Sequence, residues 1–191
     1  MSKNPNRVKA GAKAGKKGSK WENDVAHILS DWSGETFKRM PRSGSLRWGG
    51  IYWTYGDLIP PEDVRLVVEC KHHADVRLLD VLGTRLTDPG GGVMSSWWYA
   101  SACADSLRAT QELQQPTVPF LVWKKNYCRS RLSLDMQFFN LLGVFGFTTV
   151  TTSVPPLPPF VTVDFATFLE KISLPEVIAR IDAAPPVQTL A

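Results

Sequence analysis

Several features are scarce or missing in this chain of 191 residues, and each absence narrows the reading. No apolar run approaches the roughly 18 residues that a membrane-spanning helix needs. The first twenty residues hold no apolar segment of the kind a secretory signal requires. The expectation is a soluble, intracellular (cytoplasmic) protein with no membrane partner. There are three cysteines, Cys70, Cys103 and Cys128, far apart and without a C-x-x-C, so reduced thiols fit better than a disulfide framework. Cys70, His72 and His73 lie close in sequence, but adjacent histidines on a strand end face opposite ways. No further Cys or His stands at ligand spacing, which argues against zinc. Gly90-Gly91-Gly92 follows no strand and leads to no Lys-Ser/Thr, so it reads as a hinge and not a phosphate loop. No internal repeat is visible.

Acidic residues are missing from the first twenty positions, which hold Lys3, Arg7, Lys9, Lys13, Lys16, Lys17 and Lys20. The net charge of +4 therefore conceals a basic arm on a mildly acidic body. Residues 1–18 have almost nothing to bury and are expected to be disordered when free. Such an arm seeks phosphate, with Lys16, Lys17 and Lys20 as its DNA-binding candidates; the plainer reading is a solubilising tail. The rest divides into a core over 19–153 and a Pro-rich connector with a helical extension over 154–191. A 43% hydrophobic content with seven Trp is ample for one domain.

The stretch with the most chemistry is Gly56 to Lys71, G-D-L-I-P-P-E-D-V-R-L-V-V-E-C-K. Arg65–Lys71 reads as a buried strand, β-branched and preceded by Pro60-Pro61. Alternation sends Leu66, Val68 and Cys70 to one face and Val67, Glu69 and Lys71 to the other. Asp57-Leu58-Ile59 is a short run expected to pair back through the Pro-Pro-Glu-Asp turn, bringing Asp57 to Glu69 and Lys71 at a sheet edge. Two close carboxylates repel, and burial raises the cost of both charges. A hard divalent cation relieves that repulsion, and Mg²⁺ commonly uses one or two carboxylates together with substrate phosphate and water. The alternative is a surface Glu–Lys contact with an unrelated turn Asp.

Upstream, Ser19-Lys20-Trp21-Glu22 resembles a capping box that starts a helix at Ser19. Trp21, Val25, Ile28, Leu29 and Trp32 follow at helical spacing, and Gly34 ends the helix. Glu22 falls on the rim of the apolar stripe, placed either to cap the helix or to lean into the site. Thr36–Met40 reads as a strand, followed by a polar loop in which Ser43 and Ser45 sit among Arg39, Arg42 and Arg47. Hydroxyls, backbone N–H groups and guanidinium forks suit a phosphate backbone.

In order, K-G-S-x-x-E (Lys17 to Glu22), R-x-P-x-S-G-S (Arg39 to Ser45), Asp57 and E-x-K (Glu69 to Lys71) resemble the archaeal-type Holliday junction resolvases of the PD-(D/E)xK nuclease superfamily. Phe120-Leu121-Val122-Trp123-Lys124-Lys125 resembles the strand ending in paired Lys that follows that family's second helix. The resemblance covers residues 17–75 well and 95–126 loosely. It implies that Asp57 and Glu69 hold Mg²⁺ (Mn²⁺ as a substitute) with the main-chain carbonyl of Cys70. Lys71 then assists the attacking water, Glu22 completes the acidic site, and Ser43 contacts the scissile region or helps catalysis. It also implies a homodimer acting on branched DNA. The chain departs from the pattern at Gly56, where the family usually has Pro, in the Trp-rich Leu46–Tyr55 stretch, and in an insertion over Asp75–Met94. It lacks the Q-x-x-x-Y pattern of RecB-like exonucleases.

Farther along, Ser95–Gln114 is expected as a second helix whose packed face is Trp97, Ala100, Ala104, Leu107 and Gln111. Val118–Trp123 is expected as a buried strand, with Lys124, Lys125, Arg129 and Arg131 as a second basic cluster able to hold a distal phosphate. Leu132–Phe139 and Phe147–Thr152 read as further strands, or as a strand and a turn. Asp164 caps a helix to Ile172, and a short helix covers Pro175–Ile181. The expected fold is α/β, restriction-endonuclease-like, a mixed central sheet flanked by helices with the site on one edge. The expected activity is Mg²⁺-dependent cleavage of DNA phosphodiesters. A restriction-like, repair or flap-cutting nuclease, or a DNA-binding protein with a vestigial site, are the alternatives.

Overall fold

The apolar run ahead of Lys71 forms the strand on which the site is built. In the computed structural model, which describes residues 5–41, 55–73, 94–153 and 157–184, strand β3 covers Leu66–His73. Before it come helix α1 (Pro5–Ser33), β1 (Lys38–Arg39) and β2 (Leu58–Ile59). After it come α2 (Met94–Leu113), β4 (Val118–Lys125), β5 (Arg131–Asp135), α3 (Met136–Leu141), β6 (Val150–Thr152), β7 (Phe160–Asp164), α4 (Phe165–Lys171) and α5 (Leu174–Ile181). The main sheet has the order β3-β4-β5-β7-β6, and a separate ribbon joins β1 to β2. β3 and β4 run parallel, with Glu69 opposite Leu121 and Lys71 opposite Trp123; the other pairings are antiparallel. β3 is therefore an edge strand of a mixed sheet.

Alternation along the strands sorts two cores. Leu66, Val68 and Cys70 join Val118, Phe120 and Val122 beneath α1, α4 and α5, against Trp21, Val25, Leu29, Phe165, Phe168 and Val177. On the opposite face Leu121, Trp123 and Phe160 meet Tyr99 and Cys103 of α2, and Val67 meets Tyr55 and Ala109. Glu69 and Lys71 share the α2 face with Val67. Some polar groups on that face form a chain: Trp123 Nε1 donates to Ser133 Oγ at 3.0 Å, and Ser133 Oγ lies 2.8 Å from Thr162 Oγ1.

Several expectations are corrected. α1 begins at Pro5, not Ser19, so Ser19 is mid-helix and its hydroxyl donates back to the Gly15 carbonyl at 3.1 Å. Extending a formed helix costs little once nucleated, and the Ala and Lys residues ahead of Ser19 are good helix formers. Pro5 suits the first helical position, where its missing N–H is an orphan anyway. The segment expected to be disordered over 1–18 is thus helical from Pro5 onward. Ile28, expected on the stripe, is 36% exposed. Gly34 does end the helix, at φ +71, with its N–H donating to the Ser30 carbonyl at 2.9 Å.

The short run after Asp57 pairs elsewhere than expected: Leu58 faces Arg39 and Ile59 faces Lys38. Pro60 and Pro61 offer no N–H to a ladder and cannot lead straight into a hairpin with β3. On α2 the buried positions are Tyr99, Ala102, Cys103, Ser106 and Ala109, while Ala104 and Gln111 are exposed. Small residues occur all round this helix, so periodicity alone did not choose the face. Leu132–Phe139 splits, because Asp135 accepts from the Phe138 N–H at 2.9 Å and caps α3 where the strand stops.

The largest correction concerns the C-terminal segment. β7 lies between β5 and β6, with Leu132 opposite Val163 and Leu134 opposite Val161. A boundary at 153/154 would therefore remove an interior strand. Asp164 caps α4 as expected, accepting from the Thr167 N–H at 3.1 Å, and α5 follows closely on the Pro175–Ile181 expectation. Among the described residues no helix is long and apolar enough to cross a membrane.

Candidate active site

The site forms where β3 leaves the sheet and meets the segment after Gly56. Residues of a strand point N–H and C=O to the same side, and Val68 and Cys70 turn theirs to the edge that β4 does not occupy. Asp57 occupies that edge twice. Its N–H donates to the Val68 carbonyl at 2.8 Å, and its Oδ2 accepts from the Cys70 N–H at 2.8 Å. The Asp57 carbonyl accepts from the Met40 N–H at 2.8 Å, tying the same residue to the end of β1. By the same rule the Cys70 carbonyl faces that edge.

Gly56 makes this approach possible. Its φ is +71, and a Cβ built there would lie 2.5 Å from the Val68 carbonyl oxygen. Its N–H donates to Asp105 Oδ2 on α2 at 3.4 Å. A proline here would offer no such donor and could not adopt this φ, so the chain uses glycine to bring the aspartate in. Gly56→Ala should destabilise the fold by at least about 2 kcal/mol, combining left-handed backbone strain with a backbone clash. Because it also shifts Asp57, any activity that this edge supports should fall about 100-fold. Denaturant melts and single-turnover rates measure the two effects.

Glu69 and Lys71 project together one pleat apart, and the Lys71 ammonium bonds Glu69 Oε1. It also lies 3.9 Å from Asp57 Oδ2. Glu69 is 6% exposed. Burial pushes its carboxyl above the ordinary value, with the Asp57 charge adding to the rise and Lys71 opposing it. Burial likewise raises Asp57, against the pull of Lys71 and the Cys70 N–H. Burial draws Lys71 down, but Glu69 and Asp57 together more than offset this, so its amine titrates higher than usual and is an ammonium at neutral pH. Glu22, half-buried on α1, adds a further carboxylate that both Asp57 and Glu69 feel. Its Oε2 accepts from Arg39 Nε at 2.6 Å.

Above its unfolded pKa, and up to its raised folded one, Glu69 holds its proton more tightly when native. Stability therefore declines as pH rises through that window from about 4.5. Glu69→Gln removes this titration and should flatten the decline. Thermal melts between pH 4.5 and 7 should show a smaller fall in stability for the variant than for the native protein.

The donor set suits a hard cation with few protein ligands. Asp57, Glu69 and the Cys70 carbonyl present oxygens on one edge, and two carboxylates with a carbonyl and water are typical of Mg²⁺. Among the described residues no three His, Cys, Asp or Glu side chains gather as a metal cage. The Cys70 thiol, pushed well up by burial and by the Asp57 and Glu69 charges, stays neutral and turns into the core beneath α1.

Ser43, Ser45, Arg42 and Arg47, and the insertion over 75–93, lie outside the described residues. Lys16 and Lys20 are exposed on α1 and Lys17 is half-buried. Lys20 pairs with Asp24 at 3.0 Å. Lys124 places its ammonium 4.0 Å from the Trp21 ring centroid, so the second basic cluster and the α1 lysines form one surface. Arg131, expected in that cluster, pairs with Asp164 at 3.4 Å. Sequence reasoning missed Asp105, because a lone acid on a helix signals nothing until the helix is seen beneath Gly56. It also missed the bond between Arg39 and Glu22, two residues on different elements.

Residues 13–152 match a family model described as "Phage putative PDDEXK endonuclease". No curated protein matches the chain. Among solved structures, the chain is similar to Archaeoglobus fulgidus Hjc, a Holliday junction resolvase from an archaeal hyperthermophile. That similarity is 11% in identity, with a TM-score of 0.35, over 85% of this chain and 96% of that one. The family match spans well over half of the chain and includes Glu22, Asp57, Glu69 and Lys71. The chain belongs to the phage PDDEXK endonuclease family, and its helix-flanked mixed sheet is the restriction-endonuclease-like core of the PD-(D/E)xK nuclease superfamily.

Proposed function

We propose that this nuclease is a Mg²⁺-dependent endodeoxyribonuclease that cuts branched DNA, four-way junctions foremost, as an intracellular homodimer. The observation that carries the reading is the Lys71 ammonium set between Glu69 and Asp57 on an edge strand, with the Asp57 carboxylate held by the Cys70 N–H. Asp57, Glu69 and the Cys70 carbonyl would hold Mg²⁺, with Mn²⁺ as a substitute. When bound, the metal supplies Lewis-acid polarisation of a phosphoryl oxygen and lowers the pKa of water. Lys71 is a charged donor aimed at the developing negative charge, where a preorganised ammonium in a half-buried site acts most strongly. Glu22, oriented by Arg39, extends the acidic rim, and Ser43 would contact the scissile region or help catalysis. The α1 lysines with Lys124 and Lys125 position the backbone without reading sequence.

Support for the junction comes from the four ordered blocks of sequence, K-G-S-x-x-E, R-x-P-x-S-G-S, Asp57 and E-x-K. A two-fold dimer also suits a four-way junction, because two identical sites can cut opposed strands. Incubation with Mg²⁺ and labelled four-way junction, linear duplex and flap DNA of matched sequence tests the reading. Paired nicks in the junction, absent without divalent metal, are expected. Cutting of linear duplex at an equal rate would overturn the junction assignment, and no cutting of any DNA would overturn the nuclease.

A further inference from the structure

The turn between β4 and β5 carries an aromatic residue in an unusual setting. Tyr127 is 107% exposed and adopts φ 60. The Cys128 N–H donates to the Lys125 carbonyl at 3.2 Å, which makes Tyr127 the third residue of a tight turn. That position with positive φ ordinarily belongs to glycine. A tyrosine that gains no packing and occupies a glycine conformation points to use outside the fold, since strained, exposed residues concentrate at functional sites.

The turn is tied to the end of the site strand. The Asn126 N–H donates to the His73 carbonyl at 3.3 Å, and Asn126 Oδ1 lies 3.0 Å from His72 Nε2. His72 and His73 directly follow Lys71. Because Lys71 stands opposite Trp123, the Tyr127 ring lies about 10 to 13 Å farther along the strand direction. That is roughly three base steps at 3.4 Å each. Cations flank it in sequence. Lys125 and Arg129 have no ion-pair partner among the described residues, whose ion pairs lie elsewhere. Lys124 stacks over Trp21.

We propose that the β4–β5 turn is a base-stacking element, in which Tyr127 packs on a base face opened at a DNA branch point while Lys125 and Arg129 hold the flanking phosphates. An intact duplex keeps its base faces stacked, whereas stacking is interrupted at a branch point. Aromatic stacking on such a base is tolerant of sequence. Tyr127 thus selects for open structure in DNA, and the ties through Asn126 set its distance from the cutting edge. The proposal rests on the reading of this protein as a branched-DNA nuclease, and it assigns the residue that senses the branch.

The test uses the full chain in Ca²⁺, with binding measured to a four-way junction and to a linear duplex. Each DNA carries 2-aminopurine, at the branch point in the junction. Tyr127→Gly is the informative variant, because glycine accepts the positive φ and the fold should lose nothing on a melt. Junction affinity should fall about 5- to 100-fold, with loss of the fluorescence change on binding. Duplex affinity should stay within about twofold, and Tyr127→Trp should behave as the native protein. Unchanged junction affinity in Tyr127→Gly, or an equal loss on duplex, would overturn the proposal. So would a Tyr127→Gly protein that fails only to self-associate, which would assign the ring to a protein contact. Binding is read without cleavage, so a native protein that stacks but never cuts would sink the nuclease reading alone.

Discussion

In the proposed Mg²⁺-dependent junction cleavage, Lys71→Ala should cost about 100- to 1,000-fold in single-turnover rate. The size of the loss reflects where the ammonium sits. Lys71 lies within reach of two carboxylates in a half-buried site, and those carboxylates keep it protonated. It is therefore a fixed positive charge in a medium poorer than water at screening, which strengthens its interaction with developing phosphate charge. Asp57→Asn should cause a loss of similar size by a different route. The asparagine carbonyl can still accept from the Cys70 N–H, so the edge keeps its shape while the charge that attracts a cation is gone. Both variants should melt cooperatively. Cutting within tenfold of the native rate by either folded variant would remove this edge from the mechanism.

Removing residues 154–191 should abolish cooperative folding. Phe160, Val161, Val163, Phe165, Phe168, Ile172, Leu174, Val177 and Ile181 are all buried. Burial of one such side chain contributes about 1.5–3 kcal/mol, and a domain's whole stability is about 5–15 kcal/mol. The loss would also open the sheet between β5 and β6, exposing a new edge beside Leu132 and Leu134. Phe168→Ala offers a graded version. Its ring is fully buried and meets Phe120 with centroids 5.6 Å apart, so denaturation should report a loss of about 3–5 kcal/mol. A fragment ending at 153 that melts cooperatively would show the C-terminal segment to be dispensable.

What could be read in the sequence followed the strength of local signals. Leu66-Val67-Val68 could only be a buried strand, and period-two alternation then put Glu69 and Lys71 on one face. Asp164 and Gly34 announced helix ends through a side-chain cap and a positive φ. The arm was harder, since its composition suggests disorder when considered by itself, whereas attachment to the helix carrying Trp21, Val25 and Leu29 lets the same residues continue the helix. α2 was ambiguous because Ala, Ser and Cys on several faces carry little periodic signal.

The residue types that make this chemistry, two acids and an amine about one strand apart, and the glycine before the first of them, are properties of the chain itself. Their meeting is not. Asp57 reaches Cys70 because a left-handed turn at Gly56 lets backbone close on backbone. Glu22 reaches the same edge because α1 packs across β3, and Phe160–Asp164 became an interior strand because β5 had an open side to fill. Such contacts join residues far apart in sequence and depend on where whole elements pack. Propensity and spacing act over a few residues, so only the tertiary structure could decide them.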